Sequence, residues 1–244
     1  MFVVFARSNH SLFLEERKTI MSSIEALSQR CTQTCDDIRN VPVLDFPVTQ
    51  QVGRLAKELS SLSTSSTSTS PPLADIASLL QALCDACADV GVKAVLWNNL
   101  ACIQKKQGNA EGAVTSLNAA VNAEGGMLRA LPTTLINLSA ALASQGRFEE
   151  AAAAAHRAIV HSARPASPAT LAKGSSASRS LAAAYFNLAV ALEGSGHTEH
   201  ALKTYHEVLL RVDDRDAYAI AATRARNNLM LVEQDLTSKA WAAH

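Results

Sequence analysis

Residues 97–124, WNNLACIQKKQGNAEGAVTSLNAAVNAE, decide the fold. The large side chain of Trp97 is followed four residues later by the small Ala101, which lies on the same face of a helix. Gly108 then supplies the left-handed backbone that commonly follows the end of a helix. A second helical pattern begins after it, with Ala113 at the expected point of closest approach. The stretch therefore predicts two antiparallel helices that meet at small residues.

The same pattern occurs twice more, counted from Leu135 and from Tyr185. The anchor is followed three, four, eleven, sixteen, twenty and twenty-three places later by the other members of the pattern. The further members are Leu138, Ser139, Gly146, Ala151, Ala155 and Ala158, and then Leu188, Ala189, Gly196, Ala201, Tyr205 and Val208. A helix pair cannot bury its apolar face alone, so we expect the copies to stack into one continuous core.

These three windows resemble the tetratricopeptide repeat (TPR) family. Its pattern is matched best by Trp97-Asn98-Asn99-Leu100-Ala101 and Tyr185-Phe186-Asn187-Leu188-Ala189, and the resemblance covers about residues 94–213. It implies an all-α, TPR-like helix-pair solenoid, an α-α superhelix. The repeats are expected at about 94–124, 132–162 and 182–213. The anchors are 38 and then 50 residues apart, whereas the family period is about 34, so a regular superhelical pitch is not expected.

Low-complexity segments predict the domain organisation. The Ser/Thr/Pro-rich residues 63–72 are too polar to bury much apolar area and are predicted to be a linker. They separate an N-terminal helical extension, 1–62, from a helical domain, 73–240. A Pro/Ser/Gly/Ala-rich stretch predicts an inserted loop at 164–180.

A further helical pattern follows the third repeat. It predicts a capping helix at about 215–238, in which Ile220, Leu229 and Leu231 cover the exposed face of the last repeat. Asn227-Asn228-Leu229 has the same residues as Asn98-Asn99-Leu100, which leaves open a degenerate fourth first helix.

Composition excludes several classes of function. The 22 basic and 22 acidic residues cancel, so nucleic acid is not an expected partner. No apolar run approaches the ~18 residues of a membrane helix, and the apolar start is shorter than a secretory signal. Five cysteines, an odd number, do not indicate a disulfide framework. We therefore expect an intracellular, cytoplasmic protein that binds no membrane.

Catalytic and metal-binding motifs are also missing. The sequence has no Gly-rich phosphate loop, HExxH or GxSxG motif, so we expect no enzyme and no cofactor. Cys31 and Cys35, together with Cys84 and Cys87, have spacings that a zinc site or a thiol switch could use. Both pairs fall within predicted helices without a nearby histidine, which favours small buried side chains and no metal.

Histidines near the third repeat do not form a predicted metal site either. His197, His200 and His206 are three and six residues apart, so all three do not share one helix face. We expect them to be solvated surface residues.

The resemblance also predicts a partner-binding surface. In the TPR family, the first helix of each pair lines a concave groove at positions two before and one, five, eight and nine after the anchor. The matching residues are Val95, Asn98, Cys102, Lys105, Lys106, Thr133, Ile136, Ala140, Ala143, Ser144, Ala183, Phe186, Val190, Glu193 and Gly194. The centre of this groove is expected to be apolar, with Lys105 and Lys106 on one side. Such a groove suits an amphipathic helix or an extended apolar segment.

Co-chaperone members of the family bind a C-terminal carboxylate pair through Lys, Asn and Arg at several of these positions. Only Asn98 matches that set, because Cys102, Ala140 and Val190 stand at the other polar places. A carboxylate clamp is therefore not expected.

The predicted function is a non-catalytic scaffold or adaptor that binds a protein segment in the groove, or a subunit of a larger complex. Three alternatives stay open. The N-terminal helices, 12–40 or 48–62, could fold back and fill the groove. The protein could be a co-chaperone-type adaptor, which the missing clamp disfavours. It could also be a thiol- or metal-dependent regulator that uses its cysteine pairs.

Overall fold

The computed structural model describes residues 22, 25–34, 54, 58, 73–87, 89–163, 172–173 and 175–242. All regular structure within these ranges is helical, which confirms the all-α prediction. The chain forms two compact units, Met1–Glu124 and Gly125–His244. Most of the predicted linker and extension lies outside the described residues, and the domain boundaries stay a prediction.

Among its described residues, the first unit contains three complete helices. They are α1 (Leu73–Ala86), α2 (Val90–Lys106) and α3 (Ala110–Ala123). The Oδ1 atom of Asp89 accepts a hydrogen bond of 2.8 Å from the Val92 amide and so caps α2. The Oδ1 atom of Asn109 caps α3 in the same way, through the Gly112 amide at 2.9 Å. Helix α2 packs against both α1 and α3.

The helical segment 25–34 belongs to the core of the first unit. Its Leu27 and Cys31 are buried together with apolar side chains of α1 and α2. The cluster consists of Leu27, Cys31, Ile76, Leu80, Leu83, Cys84, Cys87, Leu96, Leu100 and Ile103. Burial of this many aliphatic and thiol side chains accounts for the association of this segment with the helices.

The second unit contains five helices among its described residues. They are α4 (Pro132–Ser144), α5 (Phe148–Ser162), α6 (Ser176–Gly194), α7 (Thr198–Leu209) and α8 (Ala217–Ala242). Each helix packs against the next one along the chain, and the first helices α4 and α6 also contact each other. Two antiparallel pairs, α4/α5 and α6/α7, are thus followed by one more helix.

Helix α6 starts earlier than the sequence indicated. The predicted loop at 164–180 is wrong at its C-terminal end, because α6 begins at Ser176. The hydroxyl of Ser175 accepts a hydrogen bond of 3.1 Å from the Ser178 amide, and this cap fixes the first turn. Residues 164–171 and 174 lie outside the described residues.

The structure bears out the predicted register of the three helix pairs. Gly108, Gly146 and Gly196, in the turns between paired helices, have φ values of 77°, 73° and 79°. The small residues at the two contact positions are all buried: Ala101, Ser139, Ala189, Ala113, Ala151 and Ala201. Small buried residues bring the helix axes close, and the left-handed glycine reverses the chain.

Each pair is also joined by one hydrogen bond between residues twelve positions apart. Ser116 donates to the Gln104 side chain at 2.7 Å in the first pair. Ser139 donates to the Ala151 carbonyl at 2.8 Å in the second pair. In the third pair, the Tyr205 hydroxyl donates to the Glu193 carboxylate at 2.6 Å.

Helix α8 packs with a different face from the one predicted. Its half-buried or buried residues against α6 and α7 are Tyr218, Ala219, Ala222, Ala225 and Leu229. Ile220 and Leu231 are 42% and 63% exposed, so the prediction that they cover the last repeat is wrong. The apolar face follows 218, 222, 225 and 229, which is the i, i+4, i+7, i+11 pattern of a helix.

Candidate functional site

A cavity opens on the first-helix side of the second unit. It has a volume of about 350 Å³ and lies between α4, the N-terminal half of α6 and the start of α8. Its lining residues are Thr133, Ile136, Asn137, Ser176, Arg179, Ser180, Ala183 and Tyr218. We call it the inner cavity. Its walls combine apolar surface with hydroxyl and amide groups, so it is less apolar than the groove predicted from the sequence.

The inner cavity is lined by the cationic side chain of Arg179, whose charge is neutralised by an ion pair. The Nε atom of Arg179 lies 2.6 Å from Oδ2 of Asp216. The Asp216 side chain is 9% exposed, whereas that of Arg179 is 61% exposed. The other carboxylate oxygen of Asp216 accepts the Tyr218 amide at 2.9 Å, at the start of α8. The guanidinium charge is therefore compensated by a carboxylate that is itself fixed by a helix terminus.

Three aromatic rings stabilise the elements around the cavity. The ring centroid of Phe186 lies 5.8 Å from that of Tyr205 and 5.8 Å from that of Tyr218. Both arrangements are tilted, as aromatic pairs prefer. Phe186 is a predicted groove residue, but much of its surface is used in packing α6 against α7 and α8. It positions Tyr218 at the cavity and does not line the cavity itself.

The structure brings together only part of the predicted groove set in the second unit. Thr133, Ile136 and Ala183 line the inner cavity. Val190 packs with the core of α6, α7 and α8, and Glu193 is exposed and accepts the Tyr205 hydroxyl. The remaining positions are half-buried Ala140 and Ala143 and exposed Ser144.

Gly194, another predicted groove residue, contacts the neighbouring pair. A Cβ atom at this position would lie 2.4 Å from the Phe148 ring at the start of α5. Its backbone therefore makes a close approach to α5, although the residue is exposed.

In the first unit, the predicted groove positions form an exposed line along α2. Val95 is 49% exposed, and Cys102, Lys105 and Lys106 are also exposed. Asn98 is half-buried. The buried face of α2, which contacts the 25–34 segment, is a different one. That segment therefore leaves these positions of α2 uncovered.

Sequence reasoning missed five residues that line the inner cavity: Ser176, Arg179, Ser180, Tyr218 and Asn137. The first three fall in the predicted loop, where no apolar periodicity indicates a helix. The fourth falls in the predicted cap. Ser175 followed by a short Ser/Ala stretch is a signal for an N-cap, and it could have placed α6 correctly.

Asn137 was missed although the repeat carries a signal for it. Asparagine stands two residues after the anchor in all three copies, at Asn99, Asn137 and Asn187. The Asn187 amide donates to the Ile136 carbonyl at 2.8 Å and so links α6 to α4. At Asn187, this position therefore joins the two first helices of the second unit.

The cysteines do not form a reactive cluster among the described residues. Cys31, Cys84 and Cys87 are reduced and buried in the core of the first unit, while Cys35 lies outside the described residues. Burial raises the pKa of the Cys84 thiol to about 12, with nearby Asp85 and Cys87 acting in the same direction. The thiol is therefore protonated at neutral pH, whereas a metal ligand or nucleophile needs the thiolate.

Within the part of the chain that the structure describes, no three metal-binding side chains come together. The rings of His197 and His200 meet edge to face with centroids 6.5 Å apart. Among the same residues, no helix has both the length and the apolar character needed to cross a membrane.

Comparison with protein-family models gives a match. A family model described as a tetratricopeptide repeat matches residues 94–125, which include most of α2 and all of α3. No curated protein matches the chain. The matched residues coincide with the window around Trp97 from which the fold was predicted.

Proposed function

We propose that this chain, whose residues 94–125 match the tetratricopeptide repeat (TPR), is a non-catalytic scaffold or adaptor. TPR repeats generally mediate protein–protein interactions. In this proposal, the first helices of the second unit hold a segment of a partner protein. The inner cavity is the observation that supports this assignment.

The lining of the inner cavity fits an apolar side chain on a peptide backbone. Ile136, Ala183 and the ring of Tyr218 offer contact to an apolar group, as in other peptide-binding grooves. Thr133, Ser176 and Ser180 place hydroxyl groups around it. These hydroxyls suit the N–H and C=O groups on either side of an inserted side chain.

The same lining argues against the co-chaperone alternative. A carboxylate-rich tail needs cations that carry uncompensated charge. Arg179 already has Asp216 at 2.6 Å, so an incoming carboxylate would meet like charge beside it. The raised pKa of Cys84 argues in a similar way against the thiol-dependent regulator. Membership of a larger complex is a form of the same proposal, in which the bound segment belongs to a permanent subunit.

The proposal is tested by affinity capture with a cavity-blocking variant and a matched control. Thr133→Arg places a large cation in the cavity, and Thr133 is exposed, so the helix should tolerate it. Thr115→Arg makes the same exchange at an exposed position of α3 that does not line the cavity.

We expect a stoichiometric partner to copurify with the wild type and with Thr133→Ser. Its affinity for the Thr133→Arg variant should fall by about tenfold or more, as expected for a residue at the centre of an interface. Thr115→Arg should have no effect on this affinity. Equal retention of the partner by both arginine variants would contradict the cavity as the binding site.

A further inference from the structure

Helix α8 follows the pattern of a first helix, and among the described residues no second helix pairs with it. The other first helices each end six residues after the leucine that follows the anchor: Leu100 and Lys106, Leu138 and Ser144, Leu188 and Gly194. The turn glycine comes two residues later. Leu229 follows Asn227-Asn228 in the same pattern, yet α8 continues to Ala242 and residue 237 is a threonine. The chain from 229 to 242 therefore does not fold back into a second helix.

The face of α8 that a second helix would cover can be identified by alignment. Ala182, Tyr185 and Ala189 of α6 belong to the cluster that contains Ala201 and Tyr205 of α7. When Leu188 is aligned with Leu229, their counterparts in α8 are residues 223, 226 and 230. Thr223 and Met230 are exposed, and Arg226 is half-buried. The structure describes no element that covers them.

A second cavity lies at this place. It has a volume of about 610 Å³ between α7 and α8. Its lining residues are Leu202, Lys203, His206, Glu207, Arg226 and Met230. We call it the C-terminal groove. Two of the three aligned residues of α8 therefore line a groove whose other wall is the preceding second helix.

The floor of the C-terminal groove is apolar and adaptable. Leu202 and Met230 supply the apolar surface, and Met230 is 44% exposed. Methionine stands where the other three first helices carry Ala101, Ser139 and Ala189. The larger, flexible thioether of Met230 keeps the axis of a bound helix farther from α8 than alanine or serine would. It can also adjust its rotamer to the side chains of that helix.

The rim of the groove carries a net positive charge. On α7, Lys203 pairs with Glu199 at 2.6 Å and Glu207 pairs with Arg211 at 2.6 Å, so these charges cancel locally. Arg226, which lines the groove, has no acidic partner among the side chains that the structure describes. An occupant with acidic residues along its flank would complement this rim.

We propose that the C-terminal groove binds an amphipathic α-helix of another protein. The bound helix packs against α8 as the second helix packs against the first in the other pairs. The bound helix carries small and apolar residues at i, i+4 and i+7. This is the spacing of Ala113, Leu117 and Ala120 in α3. It also carries glutamate or aspartate beside that apolar stripe. This site lies on the side of α8 toward α7 and is independent of the inner cavity.

Two designed peptides test the proposal with the full chain. Each is a stapled helix of about 15 residues, long enough to stay helical when constrained. Both carry alanine, leucine and alanine at i, i+4 and i+7. One has glutamates on the flanking positions and the other has lysines. Binding is measured by fluorescence anisotropy at low salt, together with circular dichroism of every variant.

The glutamate peptide should bind about five- to tenfold more tightly than the lysine peptide, since exposed charge pairs each contribute little. Arg226→Glu should reverse that preference. Met230→Glu should weaken binding of the glutamate peptide by about tenfold or more. Leu231→Glu is the matched control, because Leu231 is an exposed apolar neighbour that does not line the groove. It should change the affinity by less than about twofold.

Three results would overturn the proposal. The first is the absence of binding by the glutamate peptide. The second is an equal effect of Met230→Glu and Leu231→Glu on its affinity. The third is a dimer in light scattering that only Met230→Glu converts to a monomer, since the occupant would then be a second copy of this chain.

Discussion

The first helix pair, α2/α3, and the third, α6/α7, share one register and differ in nearly every large side chain. In the first pair, α2 packs against aliphatic and thiol side chains such as Ile76 and Cys84. In the third pair, the core contains Tyr205 packed against Phe186. Both pairs keep a small residue four after the anchor and a left-handed glycine eleven after it. Small residues and the turn glycine therefore set the geometry, while the large residues only need to fill the space.

The polar link between paired helices shows the same freedom. Gln104 and Ser116 form it in the first pair, and Glu193 and Tyr205 form it in the third. The donors and acceptors come from different residue types, yet each link spans twelve residues. In both pairs the hydrogen bond satisfies a polar side chain near the turn, and different residue types can supply the donor and the acceptor.

The two pairs should differ most in the free energy of unfolding that is lost when the leucine three residues after the anchor is replaced by alanine. Leu100 is 1% exposed, whereas Leu188 is half-buried. Leu100→Ala should cost about 2–5 kcal/mol, because it leaves a cavity in a closed core. Leu188→Ala should cost less, since solvent already reaches part of that side chain. Hydrogen exchange of the helices in each unit measures both costs. An equal loss of unfolding free energy for the two variants would contradict this expected difference between the pairs.

The turn glycines should behave alike in all three pairs. Gly108, Gly146 and Gly196 have positive φ, and a Cβ atom at each would meet no atom within 4 Å. Replacement by alanine should therefore cost only the backbone strain, about 1–2 kcal/mol at each position. Urea unfolding measures the three values.

Gly91 provides the control for this series. It lies in the first turn of α2, does not have positive φ, and a Cβ there would make ordinary contact with Asp89 at 3.4 Å. Gly91→Ala should be neutral or stabilise by up to about 1 kcal/mol. A loss at Gly91 as large as that at the turn glycines would contradict the role of left-handed backbone.

The buried thiol of the first unit and the buried phenol of the second should lose their contributions to stability at different alkaline pH values. Burial raises the pKa of Cys84 to about 12, and in the unfolded chain it returns to an ordinary value of about 8.5. The unfolded thiol ionises first as pH rises, so the stability that Cys84 contributes is present below about pH 8.5 and is lost above it. Between pH 7 and about pH 9.5 the loss is about 1 kcal/mol.

The variant Cys84→Ala removes this contribution. Its cost in urea unfolding should therefore be smaller at about pH 9.5 than at pH 7 by about 1 kcal/mol. Burial and the Glu193 carboxylate also raise the pKa of Tyr205, so Tyr205→Phe should show the same trend only above about pH 10. A pH-independent cost of Cys84→Ala would mean that the thiol is not shielded from water.

The sequence predicts the helix pairs because their geometry depends on residue types that stand out in it. Gly146 and the small Ser139 mark a turn and a contact even where the anchor is only Leu135. The inner cavity could be predicted only in part. Thr133 and Ile136 follow from the register, whereas Arg179 depends on where α6 begins, and a Ser/Ala stretch has no apolar period to show it. The ion pair of Arg179 with Asp216 joins residues 37 positions apart and has no local signal.

The central claim is that Trp97, Leu135 and Tyr185 anchor three antiparallel helix pairs in one register. The most direct measurement is nuclear Overhauser contacts between side chains in solution. If the three pairs share this register, cross-peaks should connect residues 104 and 116, 139 and 151, and 193 and 205, one for each pair. The absence of cross-peaks from any of the three pairs, while its helices remain formed, would contradict the account.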